Sequence, residues 1–215
     1  MLSQPSSQST TEEQHHRNRR THFTFADYNT SVLRLVTLPN LLLTWNHVTS
    51  SQNAPATSDP PEDHQDSSSQ HQEDELEITP ELVESFEHDL RQRGITIDFI
   101  SGAWSPAFVD LVFSSTGEGT HRTLVLASET IYSPLSLGAF SETLVALLRR
   151  SSTKRSTSRA LVAAKKVYFG VGGGVDEFLA VLKDISRDGL DVRQISDVKK
   201  GGVGRLILDI AEAGK

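Results

Sequence analysis

Two short apolar runs limit what this chain can fold into. The first is Thr123-Leu-Val-Leu-Ala-Ser-Glu-Thr-Ile-Tyr-Ser-Pro134. The second is Ala160-Leu-Val-Ala-Ala-Lys-Lys-Val-Tyr-Phe-Gly170-Val-Gly-Gly-Gly174. Each begins as an uncharged stretch and ends in polar, aromatic or glycine residues. A buried strand that delivers chemistry at its C-terminal end has this pattern. A helical pattern follows each run, so the pair predicts strand–helix alternation around two strand ends.

With 215 residues the chain has enough material for one medium domain. Only 36% is hydrophobic, so part of it is expected to be disordered. There is no cysteine, which excludes disulfides and thiolate metal sites. No apolar run approaches the ~20 residues that span a bilayer, and no apolar segment near the N-terminus suits a secretory signal. A soluble intracellular protein is the expectation. The net charge of -7 argues against a general nucleic-acid binder. Charge is uneven, however. Asp59 to Asp89 holds twelve acidic residues and no Lys or Arg, while Arg149 to Arg159 is basic. Solvated surface or loop explains either run.

Along the chain, residues 1–20 have almost no apolar side chains and are expected to be disordered. His15 and His16 have nothing nearby to complete a metal site. Thr21–Phe25 reads as a strand closing on Asp27. A helix opens at Tyr28-Asn29, with Val32, Leu33, Leu35 and Val36 on one face, and Pro39 should end or kink it. Residues 50–76 read as a disordered acidic insertion. Thr79-Pro80-Glu81 reads as the cap and first turn of a helix that Gly94 stops. Ile95–Ile100 alternates as a strand and ends in a turn carrying Trp104. Phe108–Phe113 and Thr123–Ala127 read as one interrupted strand or the arms of a hairpin. Leu135–Leu148 is helical, 151–158 is a polar basic loop, Leu161–Phe169 is a strand and Val175–Ser186 a helix. Leu190–Ile195 and Val203–Ile210 form a closing pair, with Lys199-Lys-Gly-Gly-Val as the hairpin turn. The alternation predicts an α/β layer with a mostly parallel sheet and an antiparallel pair at the end.

Several residues could carry chemistry. Gly170-x-Gly172-x-Gly174 imitates a dinucleotide loop. Only about 40 residues follow it, too few for a nucleotide-binding half, so a tight strand-to-helix turn with positive-φ glycine is expected. Asp27 at a strand end could hold a ribose or cap a helix. Trp104 could wall a nucleobase pocket or fill the core. Glu129 and Tyr132, just past a buried strand, could converge on a ligand: a carboxylate that holds an imidazole N–H leaves the other ring nitrogen free to attack. They could equally be a helix cap and a rim tyrosine. No Ser-His-Asp arrangement, phosphate loop or His-Glu-x-x-His is present.

The chain resembles the eukaryotic protein-histidine N-methyltransferases, seven-strand S-adenosylmethionine-dependent enzymes that modify a large-subunit ribosomal protein. Three segments carry the likeness. They are Phe25-Ala-Asp-Tyr-Asn29 with Val32-Leu33 and Thr37-Leu-Pro-Asn40; Ser101-Gly-Ala-Trp104; and Ser128-Glu-Thr-Ile-Tyr132-Ser-Pro with Ala164-Lys165 and Tyr168-Phe-Gly-Val-Gly-Gly-Gly174. The likeness covers roughly 21–210 outside the insertion. It implies a Rossmann-like sheet of strand order 3-2-1-4-5-7-6. It further implies that Asp27 holds the cofactor ribose and Trp104 lies against the adenine, with Tyr28 and Ser128 also at the cofactor, and that Glu129 and Tyr132 border the substrate. The glycine run then follows strand five and is not the cofactor loop.

Such enzymes open with a strand ending in a Leu-Gly-x-Gly-type loop, and residues 1–20 supply none. Residues 21–215 therefore read as a partial methyltransferase domain lacking the first βα unit, with weak or absent cofactor binding. The resemblance implies a monomer of the cytoplasm and nucleus that acts on a ribosomal protein without direct nucleic-acid or membrane contact. The rival reading is a non-catalytic interaction module built on the same fold.

Overall fold

The structure is a computed structural model that describes residues 20–53, 75–116, 122–152, 158–170, 172–198 and 204–213. The expected disorder of 1–20 and of the insertion falls almost wholly outside these residues, as do His15, His16, the basic loop and the turn at 199–203. The chain divides into two units, Met1–Ser101 and Gly102–Lys215.

In the first unit, strand β1 (Thr21–Asp27) pairs in parallel with β2 (Ile95–Ser101), from Thr21↔Ile95 to Asp27↔Ser101. Phe25 and Phe99 are register partners, and their rings stack at 5.8 Å. Helix α1 follows β1 as Thr30–Val32, passes through a π-wound segment Leu33–Thr37, and continues as Leu38–Asn53. Asn29 caps it by accepting from the Ser31 N–H at 2.9 Å. Pro39 thus neither ends the helix nor separates it into two. A proline lacks the N–H that the next turn needs and crowds the carbonyl four residues back. Here the turn just before it is wound wide, with the Leu38 N–H bonding Leu33 O. The same winding breaks the expected apolar face. Leu33 is buried, whereas Val32, Leu35 and Val36 are exposed.

Helix α2 (Pro80–Gln92) starts as the sequence predicts. The Thr79 hydroxyl accepts from the Leu82 N–H at 3.2 Å, Pro80 occupies the first turn, and Gly94 turns the chain out at φ 66°. Trp45 joins the two helices. Its ring meets Phe86 edge-on at 5.5 Å and its indole N–H donates to Asp89 at 2.8 Å.

In the second unit, helix α3 (Pro106–Thr116) contains Phe108–Phe113, so that run is neither a strand nor a hairpin arm. A short apolar run has no decisive period. What settles it is local: the Ser105 hydroxyl accepts from the Phe108 N–H at 3.2 Å, and Pro106 follows at the first helical position. Strand β3 (Thr123–Ser128) then crosses through α4 (Pro134–Ser151) to the parallel strand β4 (Ser158–Lys165). The predicted strand Leu161–Phe169 therefore stops at Lys165. Beyond it, β5 (Val167–Tyr168) pairs antiparallel with β6 (Gly173–Gly174), and α5 (Val175–Ser186) leaves at once. The closing hairpin is β7 (Leu190–Val198) and β8 (Arg205–Glu212), giving the sheet order β3-β4-β8-β7. Strand β8 runs antiparallel to both neighbours.

The core lies where α4 and α5 cover this sheet. Leu144 and Leu148 of α4, Phe178 and Leu182 of α5, Val162 of β4 and Ile210 of β8 are wholly buried. Alternation along β4 turns Ala160, Val162 and Ala164 inward. On β8, Asp209 is buried and held by the Arg159 guanidinium, with Nη2 donating to Oδ2 at 2.6 Å.

Candidate functional site

The C-terminal ends of β3 and β4 carry the chemistry-bearing side chains of the second unit. Ser128 is exposed and ends β3 opposite Ala163. Glu129 follows with φ 55°, a left-handed backbone that a non-glycine residue adopts at a cost of about 1 kcal/mol. Its N–H is held by the Ala163 carbonyl at 3.0 Å, so the next strand imposes the turn. Helix α4 begins at Pro134 with Ser133 in the cap position. Glu129 therefore does not cap it, and its exposed carboxylate is free for another role.

The glycine run explains how the two strand ends stay together. Gly170 and Gly172 have φ of 79° and 77° and reverse the chain, as a tight turn requires. Gly173 has a different reason to be glycine. A Cβ there would sit 2.5 Å from the Tyr132 carbonyl oxygen and 2.8 Å from that of Ile131. The returning hairpin thus lies directly on the Glu129–Tyr132 segment. Tyr168 on the outgoing limb is buried, and its ring centroid is 6.4 Å from that of Tyr132. The Tyr168 hydroxyl accepts from the Lys165 N–H at 3.2 Å. Burial pushes the Tyr168 phenol above its ordinary value. The Glu129 carboxylate adds to that push, and the Lys165 N–H and Arg205 oppose it.

The other expected site residues have partners of their own. Trp104 meets Phe108 edge-on at 5.0 Å and Phe140 at 5.7 Å, packed against the main core. Part of its surface is thus already spent on packing. Asp27 and Tyr28 belong to the first unit. The Asp27 Oδ1 accepts from the Asn29 N–H at 2.7 Å, closing the strand-to-helix turn that Asn29 then caps. Its second oxygen takes no hydrogen bond among the described residues. A carboxylate at a strand end with an oxygen to spare, and an aromatic at another, suit a ribose and an adenine in kind. Among the described residues, no group of His, Asp and Glu could hold a metal ion. The sequence reading left Tyr168 out of the site. The one signal for it was a tyrosine just before a glycine turn.

The mixed α/β order, with polar side chains gathered at the ends of neighbouring parallel strands, fits a methyltransferase fold. No protein-family model matches the chain. Histidine protein methyltransferase 1 of Saccharomyces cerevisiae is 36% identical over 197 residues, covering 90% of this chain and 50% of that protein. Its namesake in Schizosaccharomyces pombe is 38% identical over 184 residues, 86% of this chain and 47% of that one. The Bos taurus homolog is 28% identical over 178 residues. The chain belongs to the histidine protein methyltransferase family, as the residues themselves suggested. It spans about half the length of the curated relatives it matches.

Proposed function

We propose that this chain carries the C-terminal part of a protein-histidine N-methyltransferase that uses S-adenosylmethionine and acts, in the cytoplasm and nucleus, on a ribosomal protein of the large subunit. The observation that carries the reading is the exposed Glu129, in a left-handed turn at a parallel strand end, in a member of this family. S-adenosylmethionine, when bound, supplies a methyl group on a sulfonium. Glu129 accepts the N–H of a neutral imidazole, which keeps the other ring nitrogen's lone pair available for attack. The same carboxylate lies beside the positive charge that the ring gains on methylation. Tyr132, half exposed, lies against the ring. Asp27 holds the ribose and Trp104 lies against the adenine, with Tyr28 and Ser128 also at the cofactor.

The sheet order supports a seven-strand frame. The order β3-β4-β8-β7 reads as strands 4-5-7-6, and the pair β1–β2 as strands 2 and 3. Strand β3 is an edge in this sheet, yet Leu124 and Leu126 on it are 55% and 71% exposed. A long apolar edge is ordinarily covered or paired, which suits a first strand beside it. The Leu-Gly-x-Gly-type loop of that first unit is absent from these 215 residues. Cofactor binding by this chain is accordingly weak. Calorimetry with S-adenosylmethionine tests that point, and micromolar binding overturns it. For the reaction, the chain is supplied with the family's first βα unit and assayed on a histidine-bearing ribosomal protein. Turnover that falls at least tenfold in Glu129→Ala is the expected result. Equal turnover removes Glu129 from the mechanism.

A further inference from the structure

We propose that Leu135 and Phe169 form an apolar rim that selects the protein substrate by a large apolar side chain next to its target histidine. The inference rests on the reading of Glu129–Tyr132 as the substrate side of the site. Among the described residues, Leu135 and Phe169 are the most exposed large apolar side chains, at 98% and 81%. Single exposed leucines are ordinary, but these two border one contact. Leu135 follows Pro134 at the start of α4, and Phe169 opens the turn between β5 and β6. That turn lies on the start of α4. A Cβ on Gly172 would be 3.8 Å from Pro134 Cγ, and one on Gly173 would be 2.5 Å from the Tyr132 oxygen. The half-exposed Tyr132 belongs to the same patch, with its ring beside that of Tyr168, the residue before Phe169. Neither rim side chain serves the core. Leu135 lies off the buried stripe of Leu137, Phe140, Leu144 and Leu148, and Phe169 is exposed where its neighbour Tyr168 is buried. The chemistry of the occupant follows from what the rim lacks. Residues 130–141 and 167–175 contain no charged side chain. A charged partner would lose water here and gain no counter-charge from them, whereas an apolar partner removes two large apolar surfaces from water. Position favours the substrate over a first strand. Such a strand would pair at the β3 edge, whereas β4, which leads into this turn, is already paired on both sides.

The test has two arms that fail separately. The first uses the 215-residue chain and needs no turnover. The probes are two fluorescein-labelled pentapeptides with a central histidine, one flanked on both sides by phenylalanine and the other by serine. By fluorescence anisotropy the phenylalanine peptide is expected to bind at least about tenfold tighter, the discrimination that an apolar site gives for an added apolar group. Leu135→Ser and Phe169→Ser should each reduce that ratio, and the double change should bring it near one. The urea midpoint should not move, because both side chains are exposed. A ratio near one in the parent, or an unchanged ratio in the variants, overturns the rim. A fallen urea midpoint also overturns it, because the chain itself then covers the patch. So does a dimer in sedimentation that Leu135→Ser dissociates, because a second copy then covers it. The second arm measures methyl transfer to the same peptides by the chain supplied with the family's first βα unit. The phenylalanine peptide is expected to keep its advantage in kcat/KM, carried by KM, and the variants to lose that advantage with KM for S-adenosylmethionine unchanged. Equal kcat/KM for the two peptides leaves the proposed function standing and refutes the rim. If neither peptide nor the ribosomal protein is methylated, the proposed function falls, and the binding ratio alone decides whether the patch takes an apolar partner.

Discussion

Replacing Gly173 with alanine should separate the site from the sheet that carries it. The added Cβ would meet the Tyr132 oxygen at 2.5 Å, the Tyr132 carbonyl carbon at 2.7 Å and the Ile131 oxygen at 2.8 Å. Ordinary contact begins near 3.4 Å, so main-chain atoms must yield by about 0.9 Å, the difference 3.4 − 2.5. No side chain can rotate to relieve this, because every one of the three atoms is backbone. The φ of Gly173 is not left-handed, so the whole cost is steric. Overpacking costs about 1–3 kcal/mol, and rigid neighbours place this case near the upper end, ~3 kcal/mol. Gly138 is the control. It lies inside α4 with nothing within 4 Å of a Cβ, so Gly138→Ala gains about 0.5–1 kcal/mol. Urea unfolding therefore gives opposite signs for two Gly→Ala changes in one unit. Hydrogen exchange gives the local readout. The Glu129 amide, bonded to Ala163 in the parent, loses protection in Gly173→Ala and keeps it in Gly138→Ala. A Gly173→Ala variant within about 0.5 kcal/mol of the parent would refute the clamp.

Other changes probe the frame. Glu129→Gly should be more stable than Glu129→Ala by about 1 kcal/mol, because only glycine occupies φ 55° freely; equal midpoints in urea would contradict a strained turn. Thr79→Ala removes the acceptor for the Leu82 N–H and should cost about 1 kcal/mol, read from the unfolding of the helix it caps. The Arg159 guanidinium holds the Asp209 carboxyl below its ordinary value, against the upward push of burial. A depressed carboxyl stabilises the fold above its unfolded value and loses that contribution as pH falls through its folded one. The stability gap between the parent and Asp209→Asn should therefore be full at neutral pH and shrink below about pH 4. A gap that grows with acid would reverse the assignment.

The parts of the fold that were legible in the sequence are those governed by neighbours in the chain. The start of α2 follows from Thr79 and Pro80, and its end from Gly94. Helix Val175–Ser186 follows from Phe178, Leu179, Leu182 and Ile185 at helical spacing. Where two local signals conflict, the sequence alone misleads. Phe108–Phe113 looks strand-like by composition, but the Ser105 cap and Pro106 start a helix. Pro39 is a breaker by chemistry, yet the wide turn at Leu33–Thr37 absorbs it. A π turn has no composition of its own, so nothing in the residues announces it.

The site was legible residue by residue but not as an arrangement. Glu129 and Tyr132 could be singled out because polar residues ending a buried strand need a reason to be there. Tyr168 could not, because its meaning depends on a contact made far along the chain. Four glycines in five residues look like one signal, and the structure divides them by cause. Gly170 and Gly172 turn the backbone, and any chain reversal could have asked for them. Gly173 is glycine because another strand's loop passes 2.5 Å from its missing Cβ, a fact of tertiary packing alone. That contact keeps Tyr168 beside Tyr132, with ring centroids 6.4 Å apart. The glycine run therefore has two structural tasks: it reverses the chain, and it lets the hairpin that carries Tyr168 lie against the segment that follows Glu129.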